Sequence, residues 1–249
     1  MFIEFLLFKS KEFISLYSDS KLKRYLSQLQ TTINTDNDYI EYSIHGKRHR
    51  EEKELNCILP AIVYKESSWT KNKKPTRKWY KNGLLHRDDR ERGDSSNQDG
   101  RENGKVLPAI IYTTEDKEWY KNGKRHRDDL DEKGRVLPAN IWNNRKSWYK
   151  NGKQHRDDRD ENGRVLPASI WRNGTQSWYK NGELHRDDRD EKGRVLPAII
   201  NSDGSQWYEN GKRHRNDKDE NGRLLPAIIR RGGIRDWYVN GLLYKNKWN

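Results

Sequence analysis

The sequence holds one cysteine, one methionine and four phenylalanines in 249 residues. With Cys57 alone, no internal disulfide can form, and a reducing compartment is favoured. No apolar run approaches the roughly 20 residues that span a bilayer. The opening "MFIEFLLF" is apolar, but it contains Glu4 and lacks a basic flank and a small-residue cleavage site. It reads as neither signal peptide nor anchor, and a cytoplasmic, intracellular chain is expected. There is no phosphate-binding loop, no cysteine pair and no unique acid–base set. Neither an enzyme, a cofactor, a metal nor a small-molecule substrate is therefore expected. Only 31% of residues are hydrophobic while 36% are charged, which by itself would suit partial disorder.

The four phenylalanines all lie within the first 13 residues. Residues 1–35 thus form a compositionally separate segment. Phe2, Phe5, Leu6, Phe13, Leu16 and Tyr17 fall at helical spacing and predict a short N-terminal helix. That helix either caps the rest of the chain or docks a partner through Phe2, Phe5, Phe13 and Leu16.

What the chain does have is tryptophan (10) and tyrosine (13), placed at regular intervals. Trp-Tyr pairs start at Trp79, Trp119, Trp148, Trp178, Trp207 and Trp237. Each of the first five is followed by Asn-Gly, His-Arg, an acidic pair or its near equivalent, and Pro-Ala. A degenerate copy, "SIHGKRHREEKELNCILPAI", precedes them, and the truncated "WYVNGLLYKNKWN" ends the chain. Residues 36–249 are therefore about seven copies of one unit of 29–30 residues, starting near 42, 79, 119, 148, 178, 207 and 237. An insertion near residues 90–103 stretches the first full copy and is expected to be a surface loop.

Asn-Gly between two alternating runs signals a two-residue hairpin, since a type I′ turn needs positive φ at both central positions. With Asn181-Gly182 at the tip, Tyr179 faces Leu184 and Trp178 faces His185. Alternation then puts Trp178 and His185 on one face and Tyr179 and Leu184 on the other. The same reading pairs Trp79 with His86, Trp119 with His126, Trp148 with His155 and Trp207 with His214. The Trp-His face barely varies between copies, so it is expected to be the packed one, with His stacked on Trp. A second turn at Asp203-Gly204 would set Ile200 opposite Trp207. The unit reads as two long antiparallel strands interrupted by an eight-residue excursion ("RDEKGRVL"), which is either a loop or a small hairpin. The proline after it marks re-entry into the sheet. The expected class is mainly β: an elongated single-layer antiparallel sheet of stacked hairpins behind a short helical segment.

The His-Arg-Asp-Asp motif carries residue types that serve in catalytic and metal sites. One His per two strands, however, spaces successive imidazoles roughly 9–10 Å apart, whereas metal ligands lie about 2 Å from their ion. A catalytic set would also have to occur five times over. The motif therefore reads as a structural rung, its Arg and Asp making turn hydrogen bonds and exposed ion pairs between rungs, each worth under about 1 kcal/mol.

The pattern "WYKNGK.HRDD…PAII" resembles MORN-type repeats, in the Trp-Tyr-x-Asn-Gly-x-x-His-Arg…Pro-Ala variant seen in antitoxin-like proteins and large DNA viruses of amoebae. The likeness covers about residues 42–244. It departs from the family in the eight-residue excursion, which replaces a short acid-Gly-Pro-Ala link, and in its incomplete glycine pattern. The resemblance implies stacked hairpins in an elongated sheet serving as a scaffold, sometimes proposed to touch membrane lipids, and it admits a virion protein.

Net charge is +13. The middle repeats are nearly balanced and both ends of the array are basic. The densest cluster is "KNKKPTRK", with Lys71, Lys73, Lys74, Arg77 and Lys78 as a possible patch for an anionic ligand. Three functions follow. The first is a non-catalytic scaffold for an unknown protein partner, which the resemblance extends to a viral structural or host-interaction protein. The second is a peripheral binder of anionic membrane surfaces through the basic ends. The third is nucleic-acid binding, opposed by acids interleaved through every "HRDDRDE".

Overall fold

The structure is a computed structural model describing residues 31–35, 39–44, 47–50, 53–54, 57–64, 75–90 and 104–247. It is mainly β, an antiparallel sheet built from consecutive hairpins, with no α-helix among the described residues. The helix expected over residues 1–35 falls on residues 1–30, which lie outside the described ones. Residues 31–35 form a strand, Thr31–Thr35, paired with Tyr39–Ile44. The sheet therefore begins a few residues earlier than expected.

The chain divides into two compact units, residues 1–123 and 124–249. In the first, the main-sheet strands follow in the order Thr31–Thr35, Tyr39–Ile44, Ile62–Tyr64, Arg77–Lys78, Ile110–Ile111 and Lys117–Glu118. In the second they run Asn140–Trp142, Arg145–Ser147, Ser169–Trp171, Gln176–Ser177, Ile199–Asn201, Gly204–Gln206, Ile228–Arg230, Arg235–Val239 and Leu242–Lys247.

The repeat does not consist of two long strands. The main-sheet strands are mostly two or three residues, because the chain leaves the main ladder at each tryptophan. Ser177 pairs with Ile199 in the main sheet, while Tyr179, two residues on, pairs with Leu184 in a separate tip hairpin. Trp178 is the corner between them. Its N–H donates to the Ala198 carbonyl at 2.8 Å and its carbonyl accepts the His185 N–H at 3.1 Å. The register at the Asn-Gly tip is the expected one, and Asn181 (φ 53°) and Gly182 (φ 93°) both adopt the left-handed backbone of a type I′ turn.

The second turn differs from expectation. Asn201 pairs with Gly204, so Ser202 and Asp203 form the tip, and Ile200 pairs with Ser205 rather than meeting Trp207. Gly204 takes φ 149°, and a Cβ there would stand 2.0 Å from the Ile229 carbonyl oxygen. Both the positive φ and the close approach of the neighbouring strand fix glycine at this position.

The excursion is a tight turn closed by a single antiparallel bridge. In the fourth copy Arg189 bridges Val195. Asp190 Oδ1 accepts the N–H groups of Lys192 and Arg194 at 2.9 Å. Pro197 follows, and strand Ile199–Asn201 begins two residues later. In the first full copy Arg90 bridges Val106, and residues 91–103, which hold most of the insertion, lie outside the described residues.

Candidate functional site

The recurring Trp…His-Arg-Asp-Asp set is the most distinctive constellation in the sequence. Its geometry is illustrated by the fourth copy, in the second unit. Trp178 is 5% exposed. The group stacked on its ring is the Arg186 guanidinium, with Cζ 3.8 Å from the ring centroid, and not His185 as expected from the sequence. A delocalised guanidinium over an indole face gains a cation–π attraction that a neutral imidazole lacks. The same stacking recurs for Arg87 on Trp79, Arg156 on Trp148 and Arg215 on Trp207, at 3.8–4.0 Å.

Arg186 also donates through Nε to Asp188 (3.0 Å) and through Nη1 to the Pro197 carbonyl (3.2 Å). Burial pushes its pKa down, and the Asp188 hydrogen bond opposes that. The ion pair is buried, at 7% and 6% side-chain exposure. It is therefore not one of the weak surface pairs expected, and desolvation makes it costly to break.

The preceding repeat supplies the rest of the coordination. Asp188 accepts the Val165 N–H at 3.1 Å, and the Trp178 indole N–H donates to the Val165 carbonyl at 2.7 Å. Both backbone groups of the bridging valine are thus held by the next repeat. Trp207 and Asp217 do the same for Val195, as Trp148 and Asp158 do for Val136. This double clamp explains why Trp and the second acidic residue keep a constant separation.

His185 has both ring nitrogens engaged. Nδ1 accepts the Asn210 N–H of the following tip at 3.1 Å, so Nε2 carries the proton and donates to Asp187 at 2.6 Å. Asp187 also accepts from Lys180 Nζ at 2.8 Å. The hydrogen bond from Lys180, followed by that from His185, holds the Asp187 carboxyl below its ordinary pKa. His155 and His214 receive Asn181 and Asn240 in the same way. In the first unit, His86 contacts Asp88 and accepts the Asn122 N–H at 2.9 Å. Trp119 is buried there, with its indole on the Val106 carbonyl at 2.7 Å. His126, in the second unit, contacts Asp128 at 2.6 Å and accepts the Asn151 N–H. The last copy carries Tyr244 in the histidine position, 74% exposed.

Of the basic patch, Arg77 and Lys78 are described. Both are half-buried. Arg77 has its Nε buried without a hydrogen-bond partner among the described residues, and its pKa is lowered by burial and then by Arg87. Lys78 Nζ donates to the Tyr64 hydroxyl at 3.0 Å. Lys71, Lys73 and Lys74 lie outside the described residues, as do Phe2, Phe5, Phe13 and Leu16.

A different face of the second unit was not singled out from the sequence. Residues two apart on a strand share a face. On this reading Trp142, Arg145 and Trp171 form one cross-strand row. The row beside it is Asn140, Ser147, Ser169 and Ser177, all buried. Arg145 Cζ lies 5.0 Å from the Trp142 ring centroid and 4.8 Å from that of Trp171. The tyrosines of the tip hairpins lean over the same face. The Tyr208 hydroxyl donates to Gln206 at 3.2 Å, and Tyr179 senses the charge of Arg145 and lies near Tyr149 and Tyr208. The signal was legible: Trp142 and Trp171 are tryptophans outside the Trp-Tyr pairs, at equivalent places in neighbouring copies.

Among the described residues no group of three or more His, Cys, Asp or Glu side chains is placed to hold a metal ion. No helix among them is long and apolar enough to cross a membrane. The chain matches no protein-family model and no curated protein sequence, so the likeness to MORN-type repeats rests on its residues alone.

Proposed function

We propose that this chain is a non-catalytic repeat scaffold that mediates protein–protein interaction. The observation that supports this most is the way the fixed motif is used. In the fourth copy Trp178, His185, Arg186 and Asp188 spend their polar atoms within and between repeats. A general base needs a free lone pair within reach of a substrate proton, and His185 offers none: Nδ1 is filled by Asn210 and Nε2 by Asp187. The variation between copies falls instead on the faces that the motif leaves outward. Binding surfaces of repeat folds are built in this way.

The test is affinity capture with the full chain, washed at low and high salt, with proteins, lipids and nucleic acids all analysed. The chain is compared with a variant carrying Glu at Lys71, Lys73 and Lys74. Arg77 and Lys78 are left intact because both are half-buried. A defined protein that survives high salt and the charge reversal is the expected result. Recovery of lipid or nucleic acid alone, lost at high salt and with the reversal, overturns the scaffold reading, because purely electrostatic attachment is screened.

A further inference from the structure

We propose that the aromatic and arginine face of residues 124–249 is a docking surface for an acidic, proline-rich segment in the polyproline II conformation, lying across the strands. The proposal rests on the scaffold reading and names the chemistry of its partner.

The face concentrates the residue types that dominate interaction energies, Trp, Tyr and Arg. Trp142 is 36% exposed, and Trp171, Tyr149, Tyr179, Tyr208 and Tyr238 are half-buried. Large flat rings that are already held in place lose little entropy on binding. Among the described residues the carboxylate on the strands of this face is Asp236, and Arg230 already neutralises it at 3.0 Å. Asp203 sits in the turn beyond the strand ends. Among the described residues Arg145 has no carboxylate partner, and its Nε is buried without a hydrogen bond. Arg213 bonds the Tyr208 hydroxyl and lies over Tyr238, leaving its charge uncompensated there. The paired acids of the "HRDD" step are held elsewhere, by Arg186, His185 and Lys180 in the fourth copy, and Asp190 is paired with Arg194 in the excursion. The net field of this face is positive, which selects an acidic partner.

Spacing selects its conformation. Successive tip tyrosines are two strands apart, about 9.6 Å. One turn of polyproline II advances about 9.3 Å over three residues. Over the three steps from Tyr149 to Tyr238 the mismatch grows to only about 1 Å. Two turns of an α-helix advance about 10.8 Å, so that mismatch exceeds about 3 Å over the same distance. A β-strand repeats its side chains about every 6.6 Å and falls out of step at the first rung. Polyproline II also leaves its backbone unpaired and pre-ordered, and aromatic-lined surfaces recognise it elsewhere in biology.

The probe is the peptide (Pro-Pro-Glu)4-amide carrying an N-terminal fluorescein, into which the full-length chain is titrated while fluorescence anisotropy is followed. Three controls accompany it: (Pro-Pro-Lys)4, the flexible (Gly-Ser-Glu)4 and a 12-nucleotide oligothymidylate. The acidic proline peptide is expected to bind at least tenfold more tightly than either peptide control. Arg145→Gln and Trp171→Ala are each expected to weaken it by tenfold or more, while Lys146→Ala on the opposite face leaves it unchanged. Should Trp171→Ala fail to fold, Trp142→Ala at its more exposed position gives the same reading. Three results overturn the proposal: binding no tighter than to (Gly-Ser-Glu)4, preference for the oligothymidylate, or indifference to Arg145→Gln. Any of these, with a salt-resistant protein still captured by the full chain, leaves the scaffold standing and removes the assigned ligand.

Discussion

Asp187 and Asp188 are chemically identical neighbours in opposite environments, and replacing each by alanine separates buried from exposed electrostatics. The Asp188 carboxylate is 6% exposed and the Asp187 carboxylate 66%. Asp188→Ala strands the Arg186 guanidinium, itself 7% exposed, and leaves the Val165 N–H without its acceptor. Breaking a buried pair by removing one side costs about 3–5 kcal/mol, and an orphaned N–H costs about 1–3 kcal/mol more. The Pro197 carbonyl and the Trp178 ring still hold Arg186, so the lower end of the sum, about 4 kcal/mol, is the expected total. Asp187→Ala removes an exposed contact to Lys180 and His185, worth about 1 kcal/mol or less. Urea denaturation followed by tryptophan fluorescence measures the difference. Hydrogen exchange at the Val165 amide locates it, since that amide should lose protection in Asp188→Ala alone. The transition of Asp188→Ala should also broaden, because repeats couple only to their neighbours. If the two variants are equally stable, or Asp187→Ala is the worse, the double clamp on Val165 does not hold the repeats together.

The remaining expectations concern other parts of the same rung. Trp178→Ala should destabilise by about 3–5 kcal/mol by denaturant titration, because it removes a buried ring, its indole bond to Val165 and the platform for Arg186; an unchanged midpoint would place the ring outside the packed face. Gly204→Ala should cost more than Gly182→Ala. The first drives a Cβ into the Ile229 carbonyl, whereas the second meets only the Lys153 side chain at 3.7 Å and pays about 1–2 kcal/mol for its left-handed backbone; thermal melts that rank them the other way refute the register assigned here. The pKa of Asp187 is lowered in the folded chain, first by Lys180. Its stabilisation is therefore present above the unfolded carboxylate value near 3.9 and lost as pH falls through the lower folded value. An NMR titration should show the Asp187 carboxyl titrating higher in Lys180→Met, and no movement would remove Lys180 as the cause.

The hairpin tips were fully legible because Asn-Gly acts locally. Two adjacent residues that tolerate positive φ define the turn, and the turn sets Tyr179 opposite Leu184 without help from elsewhere in the chain. The excursion was legible in length but not in form, since its closure depends on Asp190 capping two amides and on a single bridge. The aromatic face was missed because its members come from different strands. Trp142 and Arg145 face each other across one hairpin, but Trp171 joins them only through pairing with the neighbouring repeat.

The repeat period, the Asn-Gly tip turns and the antiparallel class were determined by the sequence alone: the period is the recurrence of the motif itself, and the tips rest on adjacent residues and on the backbone preferences of Asn and Gly. Which group covers the tryptophan was decided only by the tertiary structure. His185 and Arg186 are adjacent in the chain and both can reach the ring. The choice falls to Arg186 because Asn210, in the following repeat, claims the imidazole, while Asp188 and Pro197 orient the guanidinium. Burial of the Arg186–Asp188 pair follows from the same cause. It depends on the preceding repeat presenting Val165 to Asp188, a contact between residues 23 apart that no local pattern encodes.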